Sequence, residues 1–119
     1  MNADAWLGRL FAAIDGMDEK AFAGCLTPDA EFQFGNLPSV RGTAQIEAMV
    51  GGFFRSIAGL GHVLHGHWIC GDTLICRGTV TYQRRDGKEV ALPFANIMRL
   101  EGGRACEYRI YGDVSPLYA

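Results

Sequence analysis

The spacing of apolar residues changes halfway along the chain. Up to Ile57 apolar side chains recur every three or four residues, which is typical of amphipathic helices. After Gly59 the period shortens to two, which is typical of strands. The sequence therefore predicts an α+β fold with helices in the first half and strands in the second. Because 119 residues suffice for one core, we expect a single domain over residues 1–119.

Three helices are predicted before Gly59. The first spans Asp4 to Met17, the second begins at Asp18 and ends before Thr27-Pro28-Asp29, and the third begins at a capping Thr43. The second helix is expected to carry Cys25 and Leu26. Gly51-Gly52 lies inside the third helix at a cost of about 1 kcal/mol per glycine relative to alanine, so it predicts close backbone packing.

Short turns separate the predicted strands. The strands are Ala30–Phe34, His62–Cys70, Thr73–Gln83, Glu89–Leu100 and Ala105–Asp113, with a short extended piece at Ser39-Val40. The turn residues Gly71-Asp72, Asp86-Gly87 and Gly102-Gly103 join the last four into an antiparallel meander. We expect a strongly curved antiparallel sheet that wraps around the three helices.

The most apolar of these strands contains one amide. Leu92, Phe94, Asn96, Met98 and Leu100 share one face, because side chains alternate along a strand. The other face carries small apolar residues. A buried amide needs hydrogen-bond partners, and Asn96 is predicted to find one in a ligand inside a cavity between the sheet and the helices.

Composition and charge exclude several classes of function. A net charge of -2 gives no basic surface for nucleic acid, and no apolar run is long enough to cross a membrane. The first eleven residues lack the pattern of a signal peptide, so a cytoplasmic location is expected. The small apolar outer face, with Ala91, Ala95 and Ile97, predicts a homodimer.

His62 and Asp15 are the strongest candidates for acid–base chemistry. On a regular strand His62 shares its face with Leu64 and Trp68. Asp15 could fix the tautomer of His62 and raise its basicity, while Asn96 donates a hydrogen bond to a developing oxyanion. The alternative is that Asp15 only ends a helix and His62 is a core histidine.

Metal binding and disulfides are not expected. His65 and His67 form an H-x-H pair that we expect to lie together on the outer face, but no third zinc ligand is evident. The four cysteines lack metal-binding spacing and lie in apolar runs, so we expect buried free thiols. No cofactor is predicted, and Arg99, Arg109 and Asp113 are expected to be surface or interface charges and not catalytic residues.

Aromatic residues on the predicted inner faces favour a pocket for a small hydrophobic molecule. These residues would form an apolar wall with a few hydroxyl and amide groups, which suits a cyclic or aromatic ligand. The alternative is that they only fill the core. The candidate ligand-binding residues are Phe32, Phe34, Trp68, Tyr82, Phe94, Met98 and Tyr108.

Four segments carry a resemblance to a known superfamily: AAIDGMDEKAFAGCLTPDAEFQF, VRGTAQI, CGDTL and FANIMRLEGGRACEYRIYGD. With the element order, they resemble the SnoaL-like branch of the nuclear-transport-factor-two-like superfamily, which includes ketosteroid isomerases, scytalone dehydratases and polyketide cyclases. The resemblance implies a cystatin-like cone, a pocket between sheet and helices, and a homodimer. It does not imply one activity, because members differ in chemistry.

The family's catalytic residues transfer only in part. The ketosteroid isomerase positions correspond to Leu10, Phe34 and Asn96, and the last epoxide hydrolase carboxylate falls at or near Ile110, so neither chemistry is expected. Similarity to scytalone dehydratase retains three polar positions, Asp15, His62 and Asn96. Its tyrosines correspond to Ile14 and Phe34, and Tyr82 is the only neighbour available for its second histidine.

Together these observations predict a small-molecule-binding protein with lyase or isomerase activity on a hydrophobic hydroxy-carbonyl compound. His62 would be the base, Asp15 the orienting carboxylate and Asn96 the oxyanion donor. The alternative is a non-catalytic binding or dimerisation module with the same fold.

Overall fold

A computed structural model describes residues 2–119. The helices are α1 (Ala3–Asp15), α2 (Glu19–Ala23) and α3 (Thr43–Arg55), and a short 3-10 helix, Ser115–Tyr118, closes the chain. The strands are β1 (Leu26–Phe34), β2 (Val40–Arg41), β3 (Gly59–Cys70), β4 (Thr73–Gln83), β5 (Glu89–Glu101) and β6 (Arg104–Tyr111). The predicted helix-rich first half and strand-rich second half are confirmed.

All strands belong to one six-stranded sheet with the order β2-β1-β6-β5-β4-β3. The meander from β3 to β6 is antiparallel as predicted. β1 runs parallel to β6, so the sheet is mixed. Parallel neighbours need a long crossover connection, and here α3 and the meander lie between β1 and β6 in the chain.

The segment after α2 differs from the prediction. α2 ends at Ala23, and Leu26 already belongs to β1, where it pairs with Ala105 of β6. Leu26 is buried, whereas Thr27, Pro28 and Asp29 lie at or near the surface. The β1–β6 register shifts between Leu26 and Glu31, so these surface residues form an irregular stretch of β1 and not a helix stop.

The start of α3 also differs in detail. Gly42, with φ of 91°, occupies the N-cap position without a side-chain cap, and the Thr43 hydroxyl donates to the Pro28 carbonyl instead. Only Gly51 of the glycine pair is closely packed, since an added Cβ there would lie 3.2 Å from Glu19 Oε1. A Cβ on Gly52 would meet nothing within 4 Å, so the expected close packing does not extend to that residue.

The core fills the concave side of the sheet. β5 alternates as predicted, with Phe94, Asn96 and Met98 buried and Pro93 and Ile97 exposed. α1 crosses this side, and the Trp6 indole N–H donates to the Gly103 carbonyl at 2.9 Å. All four cysteines are unpaired as predicted, but only Cys76 is buried, and Cys70 is exposed. No helix within residues 2–119 is long and apolar enough to cross a membrane.

β3 contains a bulge that reverses its alternation. The pairing with β4 shifts between Leu64 and Gly66, so two residues of β3 there oppose one of β4. Before the bulge His62 pairs with Val80, and after it His67 pairs with the buried Cys76. The second half of β3 therefore presents the opposite set of side chains to the core.

Gly78 of β4 lies opposite this bulge. An added Cβ there would lie 2.0 Å from the Val63 carbonyl oxygen and 3.0 Å from Leu64 Cα. Because a real Cβ never approaches backbone this closely, glycine is required for the two strands to meet at this point.

Candidate functional site

A narrow apolar cavity of about 50 Å³ lies between the helices and the concave face of the sheet. Its walls come from all three helices and from strands β1, β3, β4, β5 and β6. The lining residues are Phe11, Ile14, Phe22, Phe32, Phe34, Val50, Phe53, Phe54, Leu60, His62, Val80, Tyr82, Phe94, Asn96, Tyr108 and Ile110.

His62 reaches this cavity with its ring fixed by Asp15. Asp15 Oδ1 lies 2.6 Å from His62 Nδ1, and Asp15 Oδ2 accepts the His62 backbone N–H at 3.1 Å. The Asp15 carboxylate therefore binds both the imidazole ring and the backbone of His62. Asp15 is the last residue of α1, so the helix end brings the carboxylate to a residue 47 positions away.

Aromatic rings hold the other sides of the imidazole. The ring centroid of His62 lies 4.7 Å from that of Phe11 and 5.1 Å from that of Phe94. The His62 side chain is only 9% exposed. Within residues 2–119 no hydrogen bond reaches Nε2, so this nitrogen is available to a ligand.

Burial lowers the pKa of His62 below its ordinary value of 6.5, and the hydrogen bond to Asp15 together with its negative charge opposes this effect. The ring is therefore neutral at pH 7, with the Nδ1 proton directed to the carboxylate and a lone pair on Nε2. This is the protonation state that a general base requires.

Asn96 forms a second polar position in the cavity. Its Nδ2 donates to the Tyr108 hydroxyl at 3.1 Å, and the side chain is 2% exposed. Within residues 2–119, Asn96 Oδ1 is the one fully buried side-chain nitrogen or oxygen without a hydrogen-bond partner. A buried acceptor without a partner costs about 1–3 kcal/mol, so a ligand donor at this position would be stabilising.

The predicted role of Asn96 as an oxyanion donor does not match this amide orientation, because Nδ2 is engaged by Tyr108. A 180° turn of the amide would let the Tyr108 hydroxyl donate to Oδ1 and free Nδ2. Burial raises the pKa of Tyr108 well above its ordinary value, so the hydroxyl keeps its proton in either orientation.

A family model described as a SnoaL-like domain matches residues 7–108. The chain belongs to the SnoaL-like domain family. The predicted resemblance is therefore confirmed. A search of curated proteins found no match.

Solved structures of SnoaL-like and related proteins share the fold. A putative SnoaL-like polyketide cyclase from Jannaschia sp. is 21% identical, with a TM-score of 0.82 over 97% of this chain and 88% of that one. A ketosteroid isomerase-like protein from Catenulispora acidiphila, in complex with trimethylamine, is 15% identical, with a TM-score of 0.88 over 98% and 91%. TerC co-crystallised with polyporic acid is 16% identical, with a TM-score of 0.83 over 97% and 94%. These likenesses confirm the predicted cone.

Most of the predicted site residues of this SnoaL-like domain lie around the cavity. Asp15 does not line the cavity but binds His62, which does. The residues predicted from sequence that line it are His62, Asn96, Phe32, Phe34, Tyr82, Phe94 and Tyr108.

Two predicted ligand-binding residues lie elsewhere. Trp68 is 53% exposed on the outer face, because the β3 bulge reverses the alternation that would have placed it beside His62. Met98 has the predicted orientation and is fully buried, but it packs in the core without lining the cavity.

The predicted H-x-H pair is also separated by the bulge. His65 Nε2 lies 2.9 Å from the Thr79 hydroxyl, whereas His67 Nε2 lies 3.7 Å from Asp4 Oδ1 of α1. The two imidazoles therefore do not share a face. No cluster of three metal-binding side chains occurs within residues 2–119.

Most of the lining residues that were not predicted belong to the helices. Phe11 and Ile14 of α1 and Val50 and Phe53 of α3 line the cavity. They belong to the apolar stripes that identified these helices in the sequence. Because the apolar stripe of each helix must face the sheet, the stripe could have predicted that these residues line the cavity.

Proposed function

We propose that this SnoaL-like domain binds a small, mostly hydrophobic hydroxy-carbonyl compound between its sheet and its helices, and that His62 acts on it as a general base. The observation that supports this proposal is the 2.6 Å contact of His62 Nδ1 with Asp15, which leaves Nε2 available in an apolar cavity. The polyporic acid in the TerC structure is consistent with an aromatic ligand in this fold.

In the proposed reaction, His62 Nε2 takes a proton from the carbon next to the carbonyl, and the electron pair of that C–H bond forms an enolate. The imidazolium, stabilised by Asp15, then returns the proton. Returning it to another carbon gives an isomerisation. Returning it to a β-hydroxyl group, with cleavage of the C–O bond, gives a dehydration that releases water.

Asn96 would bind the carbonyl or hydroxyl oxygen of the ligand. With the amide turned so that Tyr108 donates to Oδ1, Nδ2 can donate to a ligand oxygen that lies away from the carbon deprotonated by His62. Tyr82, whose pKa is raised by burial, lines the same cavity as a protonated hydroxyl and would bind a second ligand oxygen.

The test is solvent deuterium exchange at the carbon next to the carbonyl, with 2-tetralone and a panel of cyclic hydroxy-ketones as probes. We expect His62→Ala to abolish exchange above the uncatalysed rate and His65→Ala, on the outer face, to retain it. Equal exchange by the parent protein and His62→Ala would remove His62 from the mechanism.

A non-catalytic binding or dimerisation module is the second candidate, and it is favoured by the little room that the cavity leaves for a substrate beside His62. About 50 Å³ is well below the roughly 300–1,000 Å³ of typical ligand pockets. This candidate predicts saturable ligand binding, followed by fluorescence or calorimetry, without deuterium exchange in the parent protein.

We also propose a homodimer formed through the outer face of the sheet. This face exposes Val63, Trp68, Ile97 and Tyr111, each at least 37% accessible. Exposed apolar side chains of this size are typical of protein interfaces. A dimeric mass by light scattering at micromolar concentration, lost in Trp68→Glu, is expected, and a monomeric parent would contradict the proposal.

A further inference from the structure

A second and larger cavity lies beside the first. Its volume is about 480 Å³, and it opens between α3, the turn after β1 and the segment that follows β6. We call the first the inner cavity and this one the outer chamber. Phe34, Val50 and Phe53 line both, so the two are separated only by side chains.

The partition between them is a pair of aromatic rings. The centroids of Phe34 and Phe53 are 4.9 Å apart at 60°, and Phe53 also contacts the Tyr82 ring edge-on at 5.8 Å. Phe53 is only partly buried and, as a phenylalanine, has no hydrogen bond to fix its rotamer. Gly52, which precedes it, has open space where a side chain would be.

Neither cavity alone can hold a ring-containing substrate against His62. A cavity known to bind benzene has a volume of about 150 Å³, and the inner cavity, at about 50 Å³, is too small for a ring. It does contain His62 and Asn96. The outer chamber has the volume of a ligand pocket, but His62 does not line it.

We propose that the outer chamber holds the larger part of an elongated, uncharged ligand of two or more rings. Its reactive end passes the Phe34–Phe53 partition, with a change of the Phe53 rotamer, to reach His62. This inference rests on the proposed function and adds the shape and charge of the ligand to it.

Within the described part of the chain, the rim of the outer chamber carries one negative charge and no positive charge, which favours an uncharged ligand over an anionic one. Asp113 lines it and its carboxylate accepts the Ser115 backbone N–H at 2.9 Å. The hydroxyl groups of Ser56 and Tyr118, 3.0 Å apart, supply neutral polar contacts. A hydroxylated or carbonyl-bearing aromatic compound satisfies both conditions.

The probe for the test is N-phenyl-1-naphthylamine, an uncharged fluorescent compound too large for the inner cavity. Gly52→Leu places a side chain in the outer chamber, whereas the matched Gly8→Leu places one on the exposed side of α1, where a Cβ also meets nothing within 4 Å. We expect Gly52→Leu to weaken binding by about tenfold or more and Gly8→Leu to leave it unchanged.

A second variant tests the partition. Phe53→Ala joins the two cavities, so the probe should shift the His62 ring signals in NMR spectra more strongly than in the parent. Both leucine variants are first checked for parent-like thermal unfolding, and Phe53→Ala remains informative if Gly52→Leu unfolds.

Three results would overturn the inference: no binding of the probe to the parent, equal binding to Gly52→Leu and the parent, or His62 signals in Phe53→Ala that do not respond. If one of these results is found while His62→Ala still abolishes deuterium exchange, His62 remains the proposed base and only the role of the outer chamber is rejected. If Gly52→Leu blocks probe binding while His62→Ala exchanges deuterium as fast as the parent, the outer chamber remains a binding site and His62 is rejected as the base.

Discussion

His62 and Asn96 line the same cavity, but their hydrogen bonding differs. Asp15 accepts from both the ring and the backbone of His62, so Nδ1 and the backbone N–H have their partner without a ligand, and only Nε2 is left. Asn96 has one bond, to Tyr108, and a buried oxygen without a partner. The cavity thus contains an imidazole held in place by Asp15 and an amide whose hydrogen bonding a ligand would complete.

The separation of these residues follows from strand register. His62 pairs with Val80, and Val80 with Leu92. Asn96 lies four residues beyond Leu92, which is about 13 Å along the strand. A ligand that contacts both must extend along the sheet, which agrees with an elongated molecule.

The largest expected effect is on the His62 side. Asp15→Ala leaves the His62 backbone N–H and ring Nδ1 without their acceptor, so we expect the free energy of unfolding to fall by about 2 kcal/mol. Urea unfolding measures this loss.

Asp4→Ala is the matched control, because Asp4 faces His67 from the same helix across 3.7 Å with an 87% exposed side chain. Its loss should stay below about 1 kcal/mol. If the free energy of unfolding falls equally in Asp15→Ala and Asp4→Ala, the His62–Asp15 contact stabilises the fold no more than an exposed ion pair does.

A smaller effect is expected on the Asn96 side. Tyr108→Phe removes the single partner of the amide and should cost about 1–2 kcal/mol in urea unfolding. Combining it with Asn96→Leu removes both polar groups, so the double variant should lose less than the sum of the single variants.

Tyr111→Phe provides the control on the same strand, since Tyr111 is 52% exposed. It should change stability by less than about 0.5 kcal/mol. Strict additivity of Tyr108→Phe and Asn96→Leu would indicate that the two side chains do not interact.

The smallest expected effect is the pH dependence of stability. Since burial lowers the pKa of His62 in the folded state, the unfolded chain binds more protons between that lowered pKa and 6.5. The free energy of unfolding should therefore rise with pH through this window and fall on acidification. NMR titration of the ring gives the folded pKa directly.

Two variants sharpen this measurement. Asp15→Asn removes the negative charge that raises the pKa of His62, so the folded pKa should fall further and the window should widen. His62→Gln should remove this contribution to the pH slope. A His62 pKa above 6.5 in the parent protein would contradict the expected protonation state.

The parts of the fold that follow from regular alternation were predictable from sequence. β5 has the predicted orientation at every buried position, and the end of α1 delivers Asp15 to His62. The family resemblance supplied the cone, which residue patterns alone could not, because the parallel β1–β6 pairing joins residues distant in sequence.

The positions of Trp68 and the histidine pair could not be obtained from alternation, because a bulge adds one residue without changing the local pattern of apolar side chains. A glycine inside a strand is a sign of a bulge or a close backbone approach. Gly78, within an otherwise regular strand, was such a sign. The volumes of the cavities depend on how side chains fill the space, which no periodicity encodes.

The close approach at Gly78 also restricts how this protein can vary. Any side chain at that position would push β3 away from β4 near Val63 and Leu64, and His62 lies on the same part of β3. In a library covering all substitutions, we expect position 78 to accept only glycine. Neutral sequence drift would therefore preserve Gly78, although it does not line the inner cavity, because the position of His62 depends on it.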